Sequence, residues 1–433
     1  MNKYLWLNDI DLPKFDKLNK DVKTDVLVIG GGIAGILTAY FLENRGIDCI
    51  LVEKNRICHG VTCGTTGKIT FQHGLIYSDI LKTGGQAIAQ MYLKANMAAF
   101  KEYKRLCSNI SCDYETKDNY VYSCDDLEKI EDEIIALAKI GYKAEFATDL
   151  KIPIKTVGAV KFKNQAQFHP IKFLKDIVKD LNIYENTFVL EINGKEVITN
   201  RGKIRAERMV IATHFPFINS HGSYFFKLYQ HRSYALALSN AENLDGMYVD
   251  DSKTGLSFRN YNDMLILIGG SHRTGKKGGN YEELRKFKEL HFPDAKENFS
   301  WATQDCMSLD SRPYIGRYSK NTADMYVASG FNKWGMTGAM TAAMILTDML
   351  TDVKNDFEEA FSPSRSILKP QLAINGFEAV TNILNPFGKR CPHMGCSLKW
   401  NNSEHTWDCP CHGSRFTTNG EILDNPSNKR LKK

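Results

Sequence analysis

The chain has 433 residues, 43% apolar and 24% charged, with a net charge of +6. That length allows about two or three domains with a sizeable core, and the balance is that of an ordinary globular protein. No apolar run reaches the roughly 18 residues a bilayer span needs, and the first twenty residues lack a signal peptide's apolar core. Lys and Arg are spread along the chain, and the terminal NKRLKK reads as a solvated tail rather than a nucleic-acid arm. A cytoplasmic protein without a membrane span or a nucleic-acid partner is expected. In that compartment the eleven cysteines do not suggest a general disulfide framework. Six lie in the first 130 residues, one is Cys306, and four crowd between 391 and 411, so dedicated chemistry is expected only in the last group.

The first element is a short β-branched run, Val26 to Ile29, which opens into Gly30, Gly32 and Gly35 in G-x-G-x-x-G spacing. A helical segment follows, then Gly46, a second strand from Cys49 to Val52, and Glu53. Gly30 permits a tight turn, Gly32 lets backbone approach a pyrophosphate, and Gly35 allows close helix–strand packing. The helix N-terminus, with Ile33 and Ala34, offers free N–H groups to phosphate oxygens. Glu53 is placed for a ribose diol, with Lys54 beside it. Strand, turn, helix, strand and acid in this order predict a dinucleotide site, and no second G-x-G-x-x-G supports a separate nicotinamide domain.

After Glu53 comes GVTCGTTGKITFQHG (60–74), and further on MYVASGFNKWGMTGAMTAAMILTDML (325–350), a strand, a glycine turn and a helix. These segments resemble the FAD-dependent D-amino-acid oxidase and glycine oxidase superfamily, over residues 20 to 350. The resemblance implies an α/β fold: a Rossmann-like FAD-binding domain (20–80, 170–215 and 310–355) with an interleaved α+β substrate domain (80–170 and 215–310). It implies FAD contacts from Thr65, Thr66 and Gly67, from Val189 and Thr213 in the returning strands, and from Gly330, Trp334, Gly335, Met336 and Thr337. Cys58 and Cys63 have the spacing of a flavin disulfide reductase pair. Without a nicotinamide domain they read as two unpaired thiols.

The glycine oxidase group has W-A-G-L-R-P-x-x-x-D-G-x-P-x-I-G near the end of its substrate domain, where its arginine meets the substrate carboxylate. Here the segment is WATQDCMSLDSRPYIG, from Trp301 to Gly316. Trp301, Asp310, Pro313, Ile315 and Gly316 keep the register, but the arginine position is Asp305. That inversion implies a substrate with positive charge, an amine or amino-acid derivative; the plain alternative is that Asp305 is a structural hydrogen-bonding residue. Lys333, in GFNKWG, is a candidate for a cation beside the flavin, or is solvated. His73 either approaches the flavin or only satisfies backbone. His169-Pro170 reads as a helix start.

The last stretch, CPHMGCSLKWNNSEHTWDCPCHGSRF (391–416), has four cysteines and three histidines. Zinc on Cys391, His393, Cys409 and His412 would leave one cysteine per loop unexplained. A four-thiolate cluster would leave the histidines unexplained. The pair CPHMGC and CPCHGS resembles the Rieske family. The resemblance implies a [2Fe–2S] cluster held by Cys391, Cys409, His393 and His412, a Cys396–Cys411 disulfide, and His405 as a bystander. Neutral imidazoles raise such a cluster to roughly −150 to +300 mV, against about −400 mV for plant-type ferredoxins. Ser414 stands where the family's serine donates to a sulfide. Phe416 stands where high-potential members have a tyrosine whose hydroxyl reaches a ligand sulfur. Phe416→Tyr should therefore raise the potential; an unchanged midpoint in a redox titration contradicts this.

Residues 356–385 read as a linker and 386–433 as a truncated Rieske-type β module, expected to pack firmly on the FAD domain because its own core is small. The stretch PQLAINGFEAVTNIL reads as helix. The combined resemblance implies an amine dehydrogenase whose electrons pass from flavin to cluster to an external acceptor. An oxidase using O2 and a non-catalytic redox sensor remain the alternatives.

Overall fold

Hydrophobic β-branched residues at the N-terminal side of the glycine loop form β1 (Val22–Ile29), which turns at Gly30 into α1 (Ile33–Glu43) and returns as β2 (Cys49–Val52). In the computed structural model, which describes residues 4–8, 10–252 and 255–432, this unit is the centre of a sheet. Further along the chain lie α2 (Ile76–Cys107), β3 (Ile183–Tyr184), β4 (Lys203–Ile211), β5 (Leu228–Ser239), β6 (Met264–Arg273) and β7 (Lys296–Ser308). Then come β8 (Tyr314–Arg317), β9 (Met325–Ser329) and α3 (Gly335–Leu350).

The first sheet runs β8-β9-β4-β1-β2-β3, parallel from β9 to β3, with β8 antiparallel at the edge. β1 is buried on both faces from Val26 to Ile29, as a strand under crossover helices must be. Gly30 has φ +118, and a Cβ there would come within 2.5 Å of the Ala212 carbonyl oxygen; one on Gly35 would come within 2.0 Å of the Gly30 carbonyl oxygen. The close packing of turn, helix and neighbouring strand thus requires both glycines.

The second sheet is built largely from non-local antiparallel pairs. β5 is flanked by β7 and β6, aligning His231 with Asp305 and Arg232 with Gln304 on one side, and Arg232 with His272 on the other. This sheet forms one wall of the cavity described below.

Residues read as a linker are structured. Pro370, at the first helical turn where its missing N–H costs nothing, starts α4 (Pro370–Leu384). The chain ends in a four-stranded antiparallel sheet of β10 (Lys399–Asn401), β11 (Thr406–Asp408), β12 (Arg415–Phe416) and β13 (Ile422–Asp424). Its core is small: Cys391, Cys396, Leu398, Cys409, Cys411, Phe416 and Leu431. The tail is not simply solvated, since Leu431 is buried in that core and its N–H donates to the Gly420 carbonyl; Lys433 lies outside the described residues.

Polar contacts to the larger domain supplement this small core. Arg273 donates to the carbonyls of Pro410 (2.9 Å) and Cys411 (3.0 Å) and to Asn375 Oδ1 (2.8 Å). Asn425 donates to the Thr213 and Phe215 carbonyls. Arg232 is paired with Glu404, both nearly inaccessible.

Candidate active site and cluster loops

A single cavity of about 970 Å³ runs from the glycine loop to the second sheet, at the upper end of the range for ligand sites. Gly30, Gly32, Ile33, Ala34, Glu53, Lys54, Thr65, Thr66, Val189, Thr213, Trp334, Gly335, Met336 and Thr337 all line it. Gly35, Gly67 and Gly330 lie behind the wall and shape it. Gly67 has φ +69 and Gly330 φ +72, and a Cβ on Gly67 would meet the Phe168 carbonyl oxygen at 2.7 Å.

Glu53 closes the loop by accepting from the N–H groups of Gly31 (2.8 Å) and Asn55 (3.0 Å). Thr337, in the first turn of α3, both donates to the Thr70 carbonyl (2.7 Å) and accepts from the Thr70 N–H (3.2 Å). It thereby holds the 65–74 loop against the helix N-terminus, whose first N–H groups have no intrahelical partner. Two helix starts, a loop anchored by Glu53 and a long cavity suit a dinucleotide with a flavin ring.

The three candidate catalytic residues separate. Asp305 and Lys333 line the cavity. Burial raises the Asp305 pKa while Lys333 and Arg232 oppose the rise, and burial lowers that of Lys333. Lys333 Nζ donates to Ser271 Oγ at 2.5 Å. His73 is not part of the wall: it stacks on Trp334 at 5.2 Å, meets Tyr92 Oη at 2.7 Å and the Thr70 carbonyl at 2.9 Å. Burial drops its pKa to about 3, so it is a neutral prop behind Trp334.

Asp310 is structural. Burial alone would raise its pKa, but Arg365 and Arg312 pull it down to about 2. Cys58 and Cys63 are free and buried, and burial pushes both thiols up, Cys63 to about 12; neither is primed as a nucleophile.

Residue-by-residue reading missed several groups. Lys68 lines the cavity, donates to Ser257 Oγ and to the Tyr248 carbonyl, and burial, with Arg259 nearby, lowers its pKa to about 7. A lysine after Thr-Gly carries no signal of such burial. Gln304 and Gln230 are likewise invisible without tertiary structure. Gln304 Nε2 donates to Gln230 Oε1 (2.6 Å) and to the Gly413 carbonyl (2.9 Å), and Gln230 Nε2 donates to the His412 carbonyl (2.7 Å).

The two cysteine–histidine loops are built alike. The Cys391 N–H donates to the Cys396 carbonyl and the Gly395 N–H to that of Cys391, each at 2.9 Å. The Cys409 N–H donates to the Ser414 carbonyl and the Gly413 N–H to that of Cys409, again at 2.9 Å. Gly395 and Gly413 have φ +76 and +80, and a Cβ on Gly413 would meet Gln230 at 2.6 Å. Cys396 and Cys411 form a disulfide. Their sulfurs lie within 4.8 Å of the Cys409 sulfur, but as disulfide members they are not thiolate donors.

The remaining four donors form two pairs. Cys391 and Cys409 hydrogen-bond to each other, which pulls the first thiol down and pushes the second up. The His393 and His412 rings are 4.9 Å apart. His412 Nε2 donates to the Phe225 carbonyl (3.0 Å), leaving Nδ1 buried without a partner. His393 Nε2 is occupied by Asn219 Oδ1 at 3.0 Å. Burial lowers His412 to about 3 and His393 to about 4. Two thiols and two neutral imidazoles, each with Nδ1 available, form a donor set that fits a metal cluster and gives the orphaned His412 nitrogen a partner. His405 is exposed at the cavity rim, apart from this set.

The sequence matches the FAD dependent oxidoreductase family, DAO, over residues 25–349 and the Rieske [2Fe-2S] domain over residues 364–433. The chain belongs to the DAO family of FAD-dependent oxidoreductases. It carries a C-terminal Rieske domain, and its cofactors are FAD and a [2Fe–2S] cluster. YhfW of Bacillus subtilis (strain 168), provisionally named a Rieske 2Fe-2S iron-sulfur protein, is 35% identical over 490 aligned positions, covering 99% of this chain and 96% of that protein. The Rieske end alone is 41% identical over 51 residues to cytochrome b6-f complex iron-sulfur subunit 2 of Trichormus variabilis, spanning 11% of this chain and 29% of that subunit. In fold, the DAO part resembles L-proline dehydrogenase from P. horikoshii: TM-score 0.67, 19% identity, 80% of this chain and 98% of that one. It also resembles glycine oxidase from Geobacillus kaustophilus: TM-score 0.66, 17% identity, 79% and 99%. Among the described residues no helix is long and apolar enough to cross a membrane.

Proposed function

We propose that this DAO-family protein is a dehydrogenase that oxidises a C–N bond of a cationic amine or amino-acid derivative and passes the electrons out through its Rieske domain. Bound in the cavity, FAD would accept a hydride from the carbon beside nitrogen, and the cluster would carry the two electrons singly to an external acceptor. The observation that carries this reading is the shared wall. Thr406, Arg415, Asp424, Asn425 and Ser427 of the Rieske domain line the same cavity as the glycine loop. Gln304, adjacent to Asp305, reaches from that wall to the carbonyl of Gly413, next to His412. A cluster domain serving an unrelated function would not need to close the flavin cavity.

On this reading Asp305 attracts the ammonium of the arriving substrate, and Lys333 tempers its charge. Oxidation of a neutral amine needs position more than a general base. Asp305→Asn should weaken binding of cationic amines about tenfold, the scale of one partly screened ion pair. Anaerobic flavin bleaching titrated with the amine measures it, and an unchanged half-saturation contradicts the role.

Lys68 supports the amino-acid branch of this reading, because a charged Lys68 would attract a substrate carboxylate. Its pKa is depressed by burial to about 7, so the attractive form is present below that pH and lost above it. Inhibition by simple carboxylates should weaken as pH rises from 6 through about 7 and be flat in Lys68→Met. An identical pH dependence in the variant assigns the titration elsewhere.

A further inference from the structure

Helix α4 is amphipathic in the inverted sense. Its polar stripe, Gln371, Asn375, Glu378 and Asn382 at helical spacing, faces the protein. Asn375 Oδ1 accepts from Arg273 and Gln371, Glu378 pairs with Lys276 at 2.6 Å, and the Asn382 carbonyl accepts from the Ser397 N–H. Its apolar stripe faces outward: Ile374, Phe377, Val380 and Leu384, extended beyond the two ends by Leu368 and Phe387. Phe377 is 69% exposed, Leu384 74% and Phe387 79%. Thr381, on the same face, satisfies its hydroxyl on the helix's own Phe377 carbonyl (2.9 Å), so it offers no free donor. A patch of this size and continuity marks a contact surface.

The charges around the stripe name the partner. Between Ser362 and Ser403 the sole carboxylate is Glu378, and it is held inward by Lys276. Lys369 stands at the N-terminal end of the stripe, Lys389 and Arg390 at the other, and the last two are exposed. Aromatic and aliphatic side chains on one face, cations at the flanks and no outward hydrogen-bonding group suit a lipid surface rather than the polar rim of a protein interface. We propose that α4 docks this protein on the surface of an anionic phospholipid bilayer, lying in the headgroup region without crossing it. The Cys411 sulfur is 3.9 Å from the Glu378 carbonyl oxygen of the same helix. If the electron-transfer reading also holds, docking keeps the cluster loops beside a lipid-dissolved acceptor; the binding itself does not depend on that reading.

The test is co-sedimentation of the full-length holoprotein with phosphatidylcholine vesicles, with and without phosphatidylglycerol. Binding to the anionic vesicles is expected, weaker by about tenfold on neutral ones or after Lys369→Gln with Lys389→Gln, and abolished by Phe377→Glu with Leu384→Glu. These side chains are exposed, so the variants should keep the flavin absorbance and the Rieske EPR signal, which verifies the fold independently. Equal sedimentation of wild type and the Phe377→Glu, Leu384→Glu variant overturns the proposal. So does a wild-type protein that ignores vesicles and is instead a dimer split by Phe377→Glu.

Discussion

Cys409→Ser should separate the two halves of the chemistry. The variant is expected to lose the Rieske EPR signal and to reduce a one-electron acceptor at least about a hundredfold more slowly, the scale of losing a metal ligand rather than an outer partner. Anaerobic bleaching of its flavin by substrate should continue at close to the wild-type rate, because Cys409 contributes nothing to the glycine loop or to α3. Cys396→Ser with Cys411→Ser is the comparison: those sulfurs brace the loops without being in the donor set, so the cluster should assemble in part and the signal broaden. If Cys409→Ser transfers electrons at the wild-type rate, the Rieske domain is not on the route.

Arg415→Met should be the most destabilising single change. Arg415 is buried among carboxylates: Nε donates to Asp408 Oδ1 (3.0 Å), Nη1 to Asp424 Oδ2 (3.0 Å), and Nη2 to Glu404 Oε1 (2.9 Å) and Thr406 Oγ1 (3.1 Å). Its removal leaves Glu404, Asp408 and Asp424 with Arg232 as the one remaining arginine of the group. Breaking a buried pair by deleting one partner costs about 3–5 kcal/mol, enough to release a domain whose own core holds only a handful of apolar side chains. Urea unfolding followed by the visible circular dichroism of the cluster should show a large fall in midpoint; a change under about 1 kcal/mol would contradict a stabilising role for the network. The same network sets an acid limit. Burial would raise the Asp424 carboxyl, but Arg415 and Arg232 hold it below its ordinary value. Its contribution is therefore complete at neutral pH and lost as the pH falls through the depressed folded pKa.

Much of this was legible in the sequence because it depends on local order. Gly30, Gly32 and Gly35 encode a turn, a close approach and tight helix–strand packing within one βαβ unit, whereas the hold of Glu53 on the Gly31 and Asn55 N–H groups is seen only in the structure. The paired loops, CPHMGC and CPCHGS, point to ligands and braces through their resemblance to the Rieske family, since spacing by itself also admits zinc. The stretch PQLAINGFEAVTNIL reads as helix, and α4 occupies it from Pro370 to Leu384.

What was not legible depends on partners distant in the chain. His73 was open between two roles, and only Trp334 and Tyr92, far from it in sequence, decide that it props the wall. Asp305 reads as a bare charge inversion until Lys333 and Arg232 are beside it. Lys68 becomes a titrating group only because the second sheet buries it. Gln230 and Gln304 are ordinary strand residues until β5 and β7 pair and turn both amides toward Gly413. The orientation of α4 ran against its pattern. An apolar stripe on a helix of a small domain ordinarily packs inward, but here Arg273 and Lys276 hold the polar stripe.

The most direct test of the central claim is an anaerobic reaction of the holoprotein with cationic amines, following flavin absorbance and the cluster's EPR signal in the same sample. The expected result is flavin reduction followed by appearance of the reduced Rieske signal, without added mediator and independent of protein concentration. A flavin fully reduced by substrate beside a cluster that stays oxidised would contradict it.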